Sequence, residues 1–211
     1  MDRKRQAGLV LRGLRKLYPE AHCELDFKTP LELLVATILS AQCTDKRVNL
    51  VVKTLFKRYR GAKDYAEAPA AELEAQIRST GFYRAKARSI RETAKSLVAD
   101  FGGKVPETME ELLTLRGVAR KTANVVLGTA FKKASGVVVD THVKRLAYRL
   151  GLSDEEDPVK IEEDLMARVP KEDWIYFGHA MVWHGRRLCK ALSPDCPGCL
   201  LNKICPKRGV A

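Results

Sequence analysis

The stretch Leu115-Arg116-Gly117-Val118-Ala119-Arg120-Lys121-Thr122-Ala123 closes one helix and opens another. A glycine-bearing turn at a helix N-terminus presents backbone N–H groups that no intrahelical carbonyl satisfies. The helix dipole adds partial positive charge at the same place. With Arg120 and Lys121 beside it, this turn reads as an anion site suited to phosphate. The same pattern also describes an ordinary turn with solvated basic residues, and the glycine-to-lysine spacing alone does not separate the two.

Outward from this turn the periodicity is helical nearly throughout. Leu9, Leu11, Leu14 and Leu17 mark an amphipathic helix closed by Pro19. Thr29-Pro30-Leu31-Glu32 supplies a cap, a first-turn proline and a glutamate at the third position, so a helix starts there. The run from Leu31 to Ala41 is mostly apolar and predicts a central helix. Further helices are expected over 46–59, 70–78 and 86–99. Thr108 and Glu111 open a short helix running to Gly117. Val137-Val138-Val139 is the one strand-like piece, too short for a sheet, and reads as an extended entry into a helix at Asp140. Helices over 159–169 and 174–188 precede a tail broken by Pro194, Pro197, Gly198 and Pro206. The chain is expected to be all-α.

The 211 residues carry 38 Lys and Arg against 26 Asp and Glu, a formal charge of +12. Such a balance favours polyanions such as nucleic acid. The charge is also segregated. From Leu112 to Leu150 there are eight basic residues and one acidic; from Gly151 to Asp173 there are three basic and nine acidic. No stretch approaches the roughly 20 apolar residues of a membrane span, and the first residues lack a long apolar core. The expectation is a protein of the cytoplasm that does not enter membranes. Its six cysteines are then thiols or metal ligands rather than disulfides.

Cys189, Cys196, Cys199 and Cys205 fall at spacing C-x6-C-x2-C-x5-C. Four thiols so close together call for a cation or cluster between them. Zinc sites commonly use two C-x2-C pairs, and this tail has one. Iron–sulfur clusters take four cysteines at more varied spacing. Spacing alone favours a metal site, with iron–sulfur ahead of zinc. Cys23 and Cys43 stand apart and read as small apolar side chains.

Two residues carry potential chemistry. Lys121 becomes a nucleophile only as a neutral amine, and at the reference pKa only about 1 in 2,500 lysines is neutral at pH 7. A helix N-terminus and neighbouring cations disfavour the ammonium form, and a neutral amine can attack a sugar carbon to form a Schiff base. Asp140, before Thr141-His142-Val143, reads as a helix N-cap or as a carboxylate that stabilises a cationic sugar or accepts a proton.

Taken together the chain resembles the endonuclease III family of helix–hairpin–helix DNA glycosylases. The resemblance rests on Ser40-Ala41-Gln42-Cys43-Thr44-Asp45, Thr80-Gly81-Phe82-Tyr83, the hairpin through Lys121-Thr122-Ala123-Asn124-Val125-Val126, Val139-Asp140-Thr141-His142-Val143, His184-Gly185-Arg186 and the cysteine tail. It implies two all-α domains with a DNA-binding cleft between them. One is a helix–hairpin–helix domain over 26–136; the other joins 1–25 to 137–211. The latter carries a 4Fe–4S cluster held by Cys189, Cys196, Cys199 and Cys205. The implied activity is that of a bifunctional glycosylase and abasic-site lyase. It acts, as a monomer on double-stranded DNA, on oxidised pyrimidines such as thymine glycol and on abasic sites. Lys121 is then the nucleophile and Asp140 the catalytic carboxylate. Gln42 fills the space left by an extruded base and Phe82 is an apolar wedge. Asp45, Thr141 and His142 line or support the pocket. Arg116, Gly117, Val118, Ala119 and Arg120 meet the DNA backbone, as does Lys190.

The chain departs from that family's pattern in places. Its hairpin typically reads L-P-G-V-G-R-K-T-A; here Arg116 replaces the proline and Ala119 the second glycine. Arg116 adds a phosphate partner, and Ala119 adds a methyl group and restricts φ. The loop from Lys190 to Asp195 holds one base and one acid where the family's is rich in Lys and Arg, which predicts a flatter salt dependence. A monofunctional adenine-removing relative would lack Lys121, and a DNA-binding or redox-sensing protein would release no base.

Overall fold

The computed structural model of the chain describes residues 2–210. Among these residues the regular elements are helices, and no strand forms. The chain divides into two compact units. One is continuous, from Glu24 to Lys133. The other joins the chain up to Cys23 with the chain from Ala134 onward.

The discontinuous unit opens with α1 (Arg3–Leu17), whose Val10, Leu11 and Leu14 face inward. The continuous unit follows with α2 (Pro30–Leu39), α3 (Asp45–Arg58), α4 (Ala62–Glu67), α5 (Ala70–Ile77), α6 (Tyr83–Asp100), α7 (Met109–Thr114) and α8 (Arg120–Ala130). Every residue of α2 from Leu33 to Leu39 is buried, as its unbroken apolar run predicts. It packs against α3, α6 and α8. The helix α4 was not expected from the sequence. Six residues are too few to show a period, and it is held by burial of Ala62 and Tyr65, the latter stacked on Tyr59. The helix α6 starts earlier than the pattern indicates, directly after Phe82, and α7 stops at Thr114 rather than Gly117, because Leu115 turns to extended backbone.

Both expected capping boxes keep one arm and re-route the other. Thr29 and Thr108 each accept the backbone N–H three residues on. The Glu32 carboxylate, however, takes the N–H of Lys28, and the Glu111 carboxylate takes the Thr108 hydroxyl proton at 2.7 Å.

The discontinuous unit resumes with the extended segment 137–139, in which Val137 and Val139 are buried. It continues with α9 (Thr141–Arg149), α10 (Pro158–Arg168) and α11 (Trp174–Arg187). Val10, Leu14, Val143, Leu146, Ile161, Leu165, Phe177 and Met181 form its core, and Cys189, Cys199 and Cys205 pack against the edge of that core. The helices α9 and α11 approach closely at Gly185, where a methyl group would lie 2.8 Å from the His142 Cβ. No helix among the described residues is long and apolar enough to cross a membrane.

Candidate functional site

In the continuous unit the hairpin between α7 and α8 is anchored from below. Leu115 and Val118 are buried, and Val118 donates its N–H to the Leu115 carbonyl at 3.2 Å. The buried Thr93 of α6 donates its hydroxyl to the Arg116 carbonyl at 2.6 Å. Gly117 turns the chain with φ 77°, and a Cβ there would sit 2.8 Å from that of Ser89, so position 117 requires glycine. Ala119 has φ −90° and ψ 169°, extended backbone open to any residue. The expected restriction of φ at this position therefore has no effect on the turn.

Ala119 is the N-cap of α8 and provides no side-chain acceptor. The first N–H groups of this 11-residue helix are therefore left without a side-chain cap. Arg116, Gly117, Ala119 and Lys121 are exposed around them and Arg120 is half-buried, whereas the Val118 side chain points into the core. Lys121 occupies the second position of the helix. Uncapped helix N–H groups among basic side chains can take an anion, and a primary amine stands beside them.

Gln42 and Phe82 stand on two other turns of the same unit. Both hold left-handed backbone, with φ 51° and 48°, and both are exposed, Phe82 to 67%. Asp45 lies in the first turn of α3, behind the N-cap Thr44.

In the discontinuous unit Asp140 is the N-cap of α9. One carboxylate oxygen, Oδ1, accepts the N–H groups of His142 and Val143, each at 2.8 Å. The second oxygen is not committed to the cap. Thr141 is exposed, while His142 is half-buried and held below its usual pKa by that burial.

Cys189, Cys196, Cys199 and Cys205 line one cavity, together with Arg149, His184, Leu201 and Asn202. None is in a disulfide. They surround a space rather than a point: no group of three or more His, Cys, Asp or Glu among the described residues is placed to hold a single ion. Donors are aimed at the sulfurs. The N–H of Leu201 reaches Cys199 Sγ and that of Lys207 reaches Cys205 Sγ, both at 3.3 Å, and Arg149 Nη1 lies 3.5 Å from Cys189 Sγ. Burial, aided by the neighbouring thiols, pushes the Cys199 and Cys205 thiols up, so four thiolates here require a positive centre.

Arg149 and Arg145, which the sequence does not single out, complete this site together with His184. Arg149, 7% exposed, donates to the carbonyls of Lys190 and Ala191 at 2.7 and 2.8 Å. Arg145 donates to those of Gly185 and Cys189 at 2.9 and 3.0 Å. Burial pushes His184 down to about 4, so its ring is neutral. Its Nδ1 lies 3.1 Å from the Tyr18 hydroxyl and its Nε2 3.7 Å from Cys199 Sγ. With the hydroxyl donating to Nδ1, the ring proton on Nε2 faces the sulfur. The four-residue spacing of Arg145 and Arg149 was the available signal, because it places both on one face of α9.

The model described as HhH-GPD superfamily base excision DNA repair protein matches residues 35–171. Endonuclease III of Synechocystis sp. is 53% identical over 205 residues, covering 97% of this chain and 94% of that protein. Two solved structures, a non-covalent endonuclease III–DNA complex and a trapped endonuclease III–DNA covalent intermediate, each share 46% identity with a TM-score of 0.94. Each match covers 98% of this chain and 97% of theirs. The chain belongs to the HhH-GPD superfamily of base excision DNA repair proteins and, within it, to the endonuclease III family.

The exposed Arg116 beside the open end of α8 leads to a measurable outcome. Arg116→Ala should weaken binding to undamaged duplex and reduce the slope of log affinity against log salt by about 0.9, the contribution of one phosphate contact. Fluorescence anisotropy across a salt series checks this.

Proposed function

We propose that this chain is a bifunctional DNA glycosylase and abasic-site lyase of base excision repair, acting on oxidised pyrimidines of the thymine glycol type. The observation that carries this is Lys121, an exposed amine in the second position of α8, beside a helix N-terminus without a side-chain cap. The endonuclease III family includes a trapped covalent intermediate with DNA.

The chemistry proceeds as follows. The open N–H groups of α8 and the side chains of Arg116 and Arg120 hold phosphates and fix the duplex without reading its sequence. The damaged nucleotide leaves the stack; Gln42 fills its place and Phe82 enters as an apolar wedge. The neutral amine of Lys121 attacks C1′, and the bond from C1′ to the base breaks, its electron pair leaving with the base, which is protonated. Asp140 stabilises the cationic sugar and accepts a proton from the attacking nitrogen. Ring opening gives the imine. The imine acidifies C2′, and loss of that proton expels the 3′ phosphate, cutting the strand 3′ to the lesion. Water then releases Lys121. Asp45, Thr141 and His142 support the pocket, and Lys190 adds a phosphate contact. In this reading residues 26–136 form the helix–hairpin–helix domain, and 1–25 with 137–211 the cluster domain.

Cys189, Cys196, Cys199 and Cys205 would hold a 4Fe–4S cluster. The donor set supports it: four half-buried thiols around one cavity, with N–H groups directed at three of the sulfurs. Such a cluster would supply a positive core that offsets part of the thiolate charge. Arg149, Arg145 and His184 order its loop and direct N–H groups at its ligands.

Borohydride trapping on duplex DNA carrying thymine glycol, with undamaged duplex as control, tests the activity. A lesion-dependent covalent adduct is expected, and it should vanish in Lys121→Gln while the helical content is unchanged. An adduct persisting in that variant would remove Lys121 from the role. Asp140→Asn separates the two functions of that side chain. An amide oxygen can still cap α9, so stability should change by less than about 1 kcal/mol, while base release slows by about a hundredfold or more. Equal loss of both would leave Asp140 as a cap only. The purified protein should absorb near about 400 nm, and Cys199→Ser should lose that band.

A further inference from the structure

Lys86 is the only lysine among the buried side chains of the described residues, with 5% of its surface exposed. It lies on the inward stripe of α6, in step with Ile90, Thr93, Ala94 and Leu97, where the helical pattern calls for an apolar side chain. Burial pushes its ammonium below the usual lysine range. An ammonium in the first turn of a helix also opposes that helix's dipole. Both effects weigh against a lysine here, so its bonds must account for it.

Its ammonium donates to two backbone carbonyls, those of Leu39 and Thr80, each at 2.8 Å. Leu39 ends α2 and leads into the turn that carries Gln42. Thr80 precedes Gly81 and Phe82. The backbone N–H of Lys86 also donates to the Phe82 carbonyl at 3.0 Å. One residue thus holds the bases of two separate turns. Each turn displays a non-glycine residue in left-handed backbone. Such conformations persist only where the surroundings over-determine them.

We propose that Lys86 is a positioning residue for base extrusion: its buried ammonium ties the turn of Gln42 to the turn of Phe82, so that the two side chains enter the duplex as one unit. This rests on the roles assigned above to Gln42 and Phe82.

The test uses the full-length, cluster-loaded protein and two substrates. One is duplex DNA with thymine glycol. The other is a single-stranded oligonucleotide with an abasic site, which has no stack to enter. Lys86→Met keeps the length of the side chain and removes its donors. Single-turnover base release from the duplex should fall by about tenfold or more, the scale of a small misplacement of positioning groups. Imine trapping on the single strand should stay within about twofold of the parent. In a background of Gln42→Ala and Phe82→Ala, adding Lys86→Met should change the duplex rate by less than about twofold, because residues acting together are not additive. Equal loss on both substrates, no loss on the duplex, or full additivity would overturn the proposal. If Lys86→Met does not fold, hydrogen exchange on the parent protein decides. Amides of 41–43 and 81–83 opening together support the coupling, and independent opening overturns it. Absence of both base release and any adduct from the parent protein would remove the glycosylase reading itself, and this proposal with it.

Discussion

Helix ends govern this molecule. A fold built from eleven α-helices over 209 described residues has an end every few residues, and each end leaves N–H or carbonyl groups unpaired. Most N-termini are closed by side chains: Asp2, Thr29, Thr44, Thr108, Asp140 and Asp157 all accept first-turn N–H groups. At α5, α6, α8 and α11 no side chain caps the end; at α8 the open donors lie beside Arg116, Arg120 and Lys121, where they can take an anion. Lys86 supplies a donor to the last carbonyl of α2 from another helix, an arrangement that costs a buried charge. In the proposed reading, the DNA contacts at α8 and at the two turns held by Lys86 lie where helix ends are left open or are met from another helix.

The cysteine tail obeys a second version of the same rule. It has no regular structure after α11, so its carbonyls have no ladder to join. Arg145 and Arg149 provide partners from α9 for the carbonyls of Cys189, Lys190 and Ala191, and Arg145 also bonds that of Gly185 within α11. Gln6 of α1 adds two further bonds, to Leu150 and Ile204. A guanidinium can do this because its donors are fixed in a planar fork and it stays charged when buried. The loop is thus shaped by the surrounding helices, and its sparse basic composition at Lys190–Asp195 does not leave it loose.

Most of the helices were legible because their apolar residues recur with the right period over ten residues or more, as in α1, α3 and α6. The exception is instructive: α4 has six residues, too few to show a period, and burial of Tyr65 holds it together with the Asp64 carboxylate, which accepts the Arg60 and Gly61 N–H groups. The cysteine set was legible from spacing because its members are neighbours in the chain. Arg149 and Lys86 were not, because what defines them is a carbonyl far away in sequence. For Lys86 the periodicity of α6 already placed a charge on the inner face, a local conflict that only the fold explains. Ala119 shows the opposite case. A sequence difference that suggested strain falls on extended backbone and carries none.

The interrupted unit has a consequence for synthesis on the ribosome. Once residue 133 has emerged, every helix of the continuous unit is present and its core can close. The helix α1 emerges before all of that unit, yet Val10 and Leu14 have no complete core until Phe177 and Met181 follow, and Leu201 and Cys205 come later still. The apolar face of α1 is therefore buried only after the whole continuous unit and α11 have been made. Maturation in this order runs from the hairpin between α7 and α8 to the cysteine cavity, so that any metal group held there would be assembled late.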